Sequence, residues 1–192
     1  YELFFHMVNV ADYGIPQDRK RIFFVGIRKD LDINFHFPAH NSYEKRSLRD
    51  AIYDLKDDAV PRAPGLKEEP TPCIIPNHEY MTGGFSTIFM SRNRVRSWDE
   101  VSFTIQAGAR HAPLHPGAPK MQLIEPNKRI FVPGYEDKYR RLSVRECARI
   151  QTFPDEFIFE YNNITSGYKM VGNAVPPQMA NIIAQAIAEQ IK

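Results

Sequence analysis

The sequence predicts a mixed α/β fold. Two apolar runs of strand length, residues 1–10 and 21–28, are separated by a short turn-forming stretch. Near the other end, Ser143 and Glu146 make a Ser-x-x-Glu capping box ahead of an apolar helical face. A proline pair then precedes a long stripe at helical spacing: Met179, Ile182, Ile183, Ala186, Ile187 and Ile191.

Taken in order, residues 11–18 carry Gly14 and Pro16, a turn signal, and the following RIFFVGIR run is rich in branched and aromatic side chains suited to a pleated strand. Residues 46–55 place Leu48, Ala51, Ile52 and Leu55 on one helical face, with Ser47 able to cap the start and Asp50 in the first turn. Residues 56–76 are Pro-rich and charged without periodicity, which predicts a loop. Residues 85–90 and 102–106 are short strand candidates, and Gly, Pro and His in 108–119 predict irregular exposed backbone. Val144, Cys147, Ala148 and Ile150 form the apolar face behind the capping box, and Pro176 and Pro177 sit where a first helical turn tolerates a missing N–H.

Composition narrows the function classes. The 192 residues are 43% hydrophobic and 12% aromatic, as in a folded chain with a real core. No apolar run approaches the length of a membrane span, and residues 1–8 lack the basic flank and cleavage site of a signal peptide. Cys73 and Cys147 lie far apart with no CxxC partners, which opposes a disulfide scaffold or zinc module and fits a reducing cytoplasm. The net charge of +2 is uninformative, but residues 91–145 hold 11 Lys and Arg against 5 Asp and Glu. A basic middle in a near-neutral chain points to a polyanion on one face. The chain opens at Tyr1 and runs straight into a strand, so it reads as a piece of something longer.

Three segments carry a family resemblance. They are IPQDRKR at 15–21, RLSVRECARIQTFPD at 141–155 and GYKMVGNAVPP at 167–177. In this order they resemble the QxRxR, ninth and tenth conserved blocks of the DNA cytosine-5 methyltransferases. The middle segments FMSRNRVRSW (89–98), FTIQAGARH (103–111) and LHPGAPKM (114–121) are similar to the recognition region of restriction-modification methyltransferases that modify GGCC. The resemblance implies that residues 1–37 end a Rossmann-like catalytic domain, that 38–140 form a small irregular α/β target-recognition domain, and that 141–192 return as a capped helix and a C-terminal helix packed on the catalytic domain. The family's Gly-rich cofactor loop, Pro-Cys nucleophile block and Glu-Asn-Val block have no counterpart here. Cys73 follows a proline, but its neighbours and its place after the QxRxR block do not match the nucleophile; Cys147 reads as a small buried side chain. The chain alone is therefore expected to be inactive.

The family's reaction adds a cysteine to cytosine C6 and transfers a methyl group from S-adenosylmethionine to C5, on a base flipped from the duplex. The resemblance places Gln17, Arg19 and Arg21 around that base. Arg21 donates to its O2, Arg19 holds the neighbouring shell and Gln17 positions the loop. Solvated strand-end arginines are the plain alternative. The resemblance assigns guanine contacts to Arg92, Arg94 and Arg110, whose guanidinium fork matches O6 and N7, and a phosphate contact to Arg96. Backbone-only contacts for all four are the alternative. The resemblance also assigns Asn173 and Ala174 to S-adenosylmethionine, Ala174 through its backbone alone, and the plain alternative for Gly172–Asn173 is a turn before a helix. Trp98 reads as core. His111 and His115 are four apart, but Pro113 opposes a helix between them, so no metal site is expected.

The expected partners are double-stranded DNA and a missing amino-terminal half, either part of a longer chain or a separate subunit, in the bacterial cytoplasm. Alone, the chain is expected to expose an apolar strand edge and the Ile182, Ile183 and Ile187 stripe, inviting self-association. A non-catalytic DNA-binding remnant is the alternative, and retention of Arg19, Arg21 and Asn173 weighs against it.

Overall fold

The computed structural model describes residues 1–40, 43–65 and 73–191. In chain order these form β1 (Glu2–Asn9), β2 (Lys20–Ile27), α1 (Leu48–Ile52), β3 (Val60–Arg62), β4 (Glu79–Met81), β5 (Gln122–Glu125), β6 (Lys128–Ile130), α2 (Val144–Ile150), α3 (Ile164–Asn173) and α4 (Pro177–Gln190), linked by short 3-10 turns. The class is mixed α/β, with three two-stranded sheets among the described residues: β1–β2 and β5–β6 antiparallel, β3–β4 parallel.

The first core lies between the β1–β2 hairpin and α4. Asn9 starts the 3-10 turn Val10–Tyr13 by accepting from the Ala11 N–H, and Gly14 ends it at φ 75, a left-handed conformation that a side chain would strain. Alternation along the strands turns Val8, Val25 and Ile27 to one face, where Met179, Ile182, Ile183 and Ala186 of α4 cover them together with Phe35. Each fully buried side chain of this size contributes roughly 1.5–3 kcal/mol. Gln178 Nε2 donates to the Tyr13 carbonyl and Gln190 exchanges hydrogen bonds with the His36 backbone, fastening α4 near both ends. The expected exposure of the Ile182, Ile183 and Ile187 stripe therefore does not occur. The hairpin's own inner face covers it. What stays open is the hairpin's other face, where Leu3, Phe5, Met7, Ile22 and Phe24 are all exposed, with Phe5 opposite Phe24 and Met7 opposite Ile22.

The second core is helical. Ser47 with Asp50 and Ser143 with Glu146 form complete capping boxes on α1 and α2. Leu48, Ile52 and Leu55 pack with Val144, Cys147, Ile150, Tyr168 and Val171, so this core runs unbroken across residue 140. Trp98 packs against it and meets Tyr53 and His115 edge-on. The third, smaller core gathers Phe89, Val95, Leu114, Met121 and Tyr139, with Phe131 stacked on Tyr139 at 4.1 Å.

Several elements differ from the sequence expectation. The stretch 56–76 contains β3, and its residues 66–72 lie outside the described residues. Residues 85–90 form no strand. Met90 N–H donates to the Ser86 carbonyl and Phe85 meets Phe89, one turn apart, ahead of the 3-10 turn Phe89–Ser91. Residues 102–106 make only a single bridge, Ser102 to Gln17, because a side chain takes part of the ladder: Ile105 N–H donates to Gln17 Oε1. Helix α3 was hidden by two glycines inside it. A Cβ at Gly167 would lie 2.6 Å from the Tyr161 ring, and one at Gly172 would lie 2.4 Å from Ala107 N. Asn173 is consequently the last residue of α3, with 174–176 intervening before α4, not a lead-in turn to the final helix. Among the described residues no helix is long and apolar enough to cross a membrane.

Candidate functional site

The QxRxR segment is built into the protein through its backbone and two of its side chains. Asp18 N–H donates to the Ser102 carbonyl, Ser102 N–H to the Pro16 carbonyl, and the Thr104 hydroxyl to the Asp18 carbonyl. Gln17 is fully buried, and its Oε1 accepts from Ile105 N–H at 3.1 Å. Arg19, 4% exposed, donates to three carbonyls: Ile105 at 2.9 Å, Gly172 at 3.0 Å and Ala174 at 3.2 Å. Burial, with a smaller push from Arg21, lowers the Arg19 guanidinium to about 10. It remains charged at neutral pH. Arg21 is exposed and bonds its own neighbour, the Lys20 carbonyl, through Nη1.

Arg19 thus joins the QxRxR segment, the 102–106 segment and the α3–α4 junction. The two junction carbonyls it holds flank Asn173, whose side chain is exposed, while Ala174 is half-buried. Gln17, Arg19, Asn173 and Ala174 therefore belong to one neighbourhood, with Arg21 at its rim.

The four arginines of the basic middle part company. Arg94 Nε donates to the Phe89 carbonyl at 2.9 Å and Nη2 to the Ile88 carbonyl at 3.2 Å, with the guanidinium over the Phe89 ring. One edge of its fork is thereby fixed, and the other, Nη1 with the second Nη2 hydrogen, points to no protein acceptor among the described residues. Burial and then the nearby Arg92 charge lower its pKa. Arg92 is exposed beside it. Arg96 turns away, stacks on Phe103 at 4.2 Å and pairs with Glu100, which also takes Lys120 at 3.2 Å. Backbone and side-chain bonds hold the Glu100 carboxyl at about 2, so it remains the counter-charge of Arg96 at any ordinary pH.

Arg110 is exposed in the 3-10 turn Ala109–His111, supported by the Ala107 and Gly108 backbone that lies along α3. His111 lines a small recess of about 190 Å³ with Arg94, Thr104 and Gln106, so the turn bearing Arg110 and the Arg92–Arg94 pair border one surface. Thr104, Gln106 and His111 were not singled out from sequence as candidates for this surface. Their signal was the Gly-flanked segment already quoted for Arg110.

The buried histidines, Glu146 and the two cysteines read as structural. His78 is buried between the Ser143 hydroxyl and the Leu55 carbonyl, and burial lowers it. His115 is pushed down to about 4 by burial, and its Nδ1 accepts from Gly117 N–H. Glu146 is fully buried. Desolvation works to raise it, but two hydrogen bonds from Arg140 prevail and hold it below the usual carboxylate range. Burial and then the Glu79 charge raise the Cys73 thiol, the opposite of nucleophile activation. Cys147 is completely buried, and its thiol is pushed far up.

Comparison with known proteins matches this arrangement to one family. The family model for C-5 cytosine-specific DNA methylase covers residues 1–189. The chain is 54% identical to the type II methyltransferase M.FnuDI of Fusobacterium nucleatum, covering 100% of this chain and 56% of that protein. It is 55% identical to M.MthTI of Methanothermobacter thermautotrophicus, covering 100% and 58%, and 51% identical to M.NgoPII of Neisseria gonorrhoeae, covering 100% and 57%. The chain spans a little over half the length of these relatives. Among solved structures, a DNA modification methyltransferase encoded within a prophage (E. coli) superposes with a TM-score of 0.64 at 20% identity, over 100% of this chain and 61% of that one. The Entamoeba histolytica methyltransferase EhMeth superposes at 0.57 and 9% identity, over 100% and 54%. These two show a shared fold. The chain belongs to the C-5 cytosine-specific DNA methylase family.

Proposed function

We propose that this chain is the sequence-reading and cleft-wall portion of a DNA cytosine-5 methyltransferase of a restriction-modification system, acting in the bacterial cytoplasm on duplex DNA containing GGCC. The observation that carries the reading is the Arg19 clamp, which brings the QxRxR segment to the two carbonyls flanking Asn173.

In this reading the segment of about residues 38–140, which shares its helical core with residues 142–171, reads the duplex. Arg94 offers guanine O6 and N7 the open edge of a fork whose other edge two carbonyls already hold, so little side-chain freedom is lost on binding. Arg92 and Arg110 take further guanines from exposed positions beside it. Arg96, paired with Glu100, reaches a phosphate only by exchanging that partner. Arg21, at the rim, donates to O2 of the flipped cytosine and favours negative charge on the ring. Gln17 and Arg19 hold the wall behind it.

The residues at the α3–α4 junction fit one edge of a cofactor site. With the Gly172 and Ala174 carbonyls held by Arg19, the exposed Asn173 amide is the polar group left for a ligand. S-adenosylmethionine, when bound, supplies the electrophilic methyl group. The Asn173 amide orients it, with Ala174 beside it as a backbone whose carbonyl is held by Arg19 and whose N–H donates to the Val171 carbonyl. The cysteine nucleophile lies outside this chain, so the chain alone does not methylate. Polypeptide corresponding to the remaining length of the relatives would cover the apolar face of Leu3, Phe5, Met7, Ile22 and Phe24, and self-association is what that face would do unaided.

The test mixes the chain with a matching amino-terminal half and radiolabelled S-adenosylmethionine. Methyl transfer into GGCC duplex is expected with the partner and none without it. In binding, Arg94→Ala should weaken GGCC duplex by about 1–3 kcal/mol and unrelated duplex little. An equal loss on both would return Arg94 to the DNA backbone.

A further inference from the structure

The Ala109–His111 turn is a ridge with a recess on each side. On the Arg94 side lies the small recess already described. On the other side a wider groove of about 500 Å³ runs between the 107–111 backbone and α3, lined by Arg110, His111, Thr165, Ser166 and Lys169. At Gly172 α3 approaches the Gln106–Ala107 backbone too closely for any Cβ, and the groove lies N-terminal to that contact, along Thr165, Ser166 and Lys169.

Its charge is one-sided. Arg110 and Lys169 are both exposed, and neither forms an ion pair among the described residues. Helix α3 has no acidic residue in its first turn, and none occurs anywhere in its ITSGYKMVGN sequence. The Thr165 hydroxyl spends its proton on Asn163 Oδ1, whereas the Ser166 hydroxyl makes no hydrogen bond among the described residues and keeps its proton for an anion. Two uncompensated cations with a free hydroxyl between loop and helix constitute a receptor for an anion with several oxygens.

We infer that this groove is a phosphate seat for duplex DNA, with Lys169 and Ser166 of α3 gripping the sugar–phosphate backbone beside the base pair that Arg110 reaches. The inference rests on the DNA-reading function proposed above and adds α3 to the contact surface. Lys169 supplies a compact point charge that suits a phosphate and carries no base selectivity, so its contribution is independent of sequence. A helix that also ends at Asn173 would then join DNA engagement to the cofactor edge through one rigid element.

The test is fluorescence anisotropy of the 192-residue chain with two labelled duplexes, one containing GGCC and one scrambled, across a salt series. Lys169→Ala should weaken both equally, by roughly 3–10-fold near 0.1 M salt, and lower the slope of log affinity against log salt by about 1. Lys169→Arg should retain most of the affinity. Unchanged affinity and slope for Lys169→Ala, while the natural chain still prefers GGCC, would overturn the phosphate seat and leave the DNA-reading function standing. A loss confined to GGCC would overturn it too, by making Lys169 a base contact. No binding of either duplex by the natural chain would overturn both. Thermal unfolding should not change, because Lys169 is exposed and unpaired.

Discussion

Arg19 Nη2 lies 3.0 Å from the carbonyl oxygen of Gly172, a residue 153 positions further along the chain. The same guanidinium holds Ile105 and Ala174, so a single buried side chain joins three segments that share no strand or helix. Arg19→Ala should therefore act first on stability. Hydrogen bonds to a charged group are worth about 1.5–3 kcal/mol each in favourable cases and are not additive, and three buried carbonyls would lose their donor. A loss of about 3 kcal/mol in urea unfolding is expected, and Arg19→Lys should recover only a minor part, since an ammonium cannot span the three acceptors. A loss below 1 kcal/mol would show that the clamp is dispensable.

Gly172→Ala tests the close approach from the other side. The new Cβ would fall 2.4 Å from Ala107 N and from Gln106 C, both backbone atoms that cannot rotate aside. Although alanine favours helices, overpacking here should destabilise by about 1–3 kcal/mol. Denaturant unfolding reads the sign directly, and a stabilised variant would mean that the 106–107 backbone yields freely.

Acid should weaken the fold through His115. Its imidazole sits near 4 when folded and near the ordinary 6.5 when unfolded, so the fold favours the neutral ring. That contribution is complete above about pH 6.5 and is lost progressively as pH falls toward about 4, with a ceiling of roughly 3 kcal/mol. His78, also lowered by burial, adds in the same direction, and the depressed Glu146 carboxyl adds a further loss as pH falls below the ordinary carboxylate range. His115→Asn keeps an acceptor for the Gly117 N–H. It should lower stability at pH 8 through lost packing on Trp98, yet flatten the dependence between pH 6.5 and 4.5. An equally steep profile would exonerate His115.

The open hairpin face predicts behaviour in solution. Phe5 and Phe24, 68% and 64% exposed, face each other across the strands with ring centroids 6.2 Å apart. Phe24→Ser should cost the isolated chain no more than about 1 kcal/mol, the worth of one exposed cross-strand pair. It should also clearly reduce concentration-dependent association in sedimentation velocity. Association that is indifferent to the substitution would place the sticky surface elsewhere.

Local signals carried much of the fold. The Ser143–Glu146 capping box, the capping Ser47, the proline lead into α4 and the two apolar strand-length runs act within a few residues, and each has its counterpart in the structure. What could not be seen locally depended on distant partners. Gly167 and Gly172 weaken the helical pattern of 164–173, and the reason for them lies in Tyr161 and Gln106. Residues 102–106 look like a strand, but their bonds go to Gln17 and Asp18. The Ile182–Ile183 stripe was legible as a stripe, and its cover was not. At the candidate site, the arginines were legible as charge. That Arg96 is neutralised by Glu100 while Arg94 is braced by carbonyls depends on tertiary placement.

The buried guanidiniums have a further consequence. Arg141 is bound to the carbonyls of Met81, Gly83 and Gly84, and Arg145 to those of Pro76, Pro154 and Phe157, while Arg140 is matched by Glu146. These three belong to the basic stretch that points to a polyanion, yet they are internal bolts, and Arg96 in the same stretch is already matched by Glu100. A nucleic acid meeting this surface would displace far fewer counterions than the 11 Lys and Arg of residues 91–145 suggest. Its grip should fade only gently as ionic strength rises.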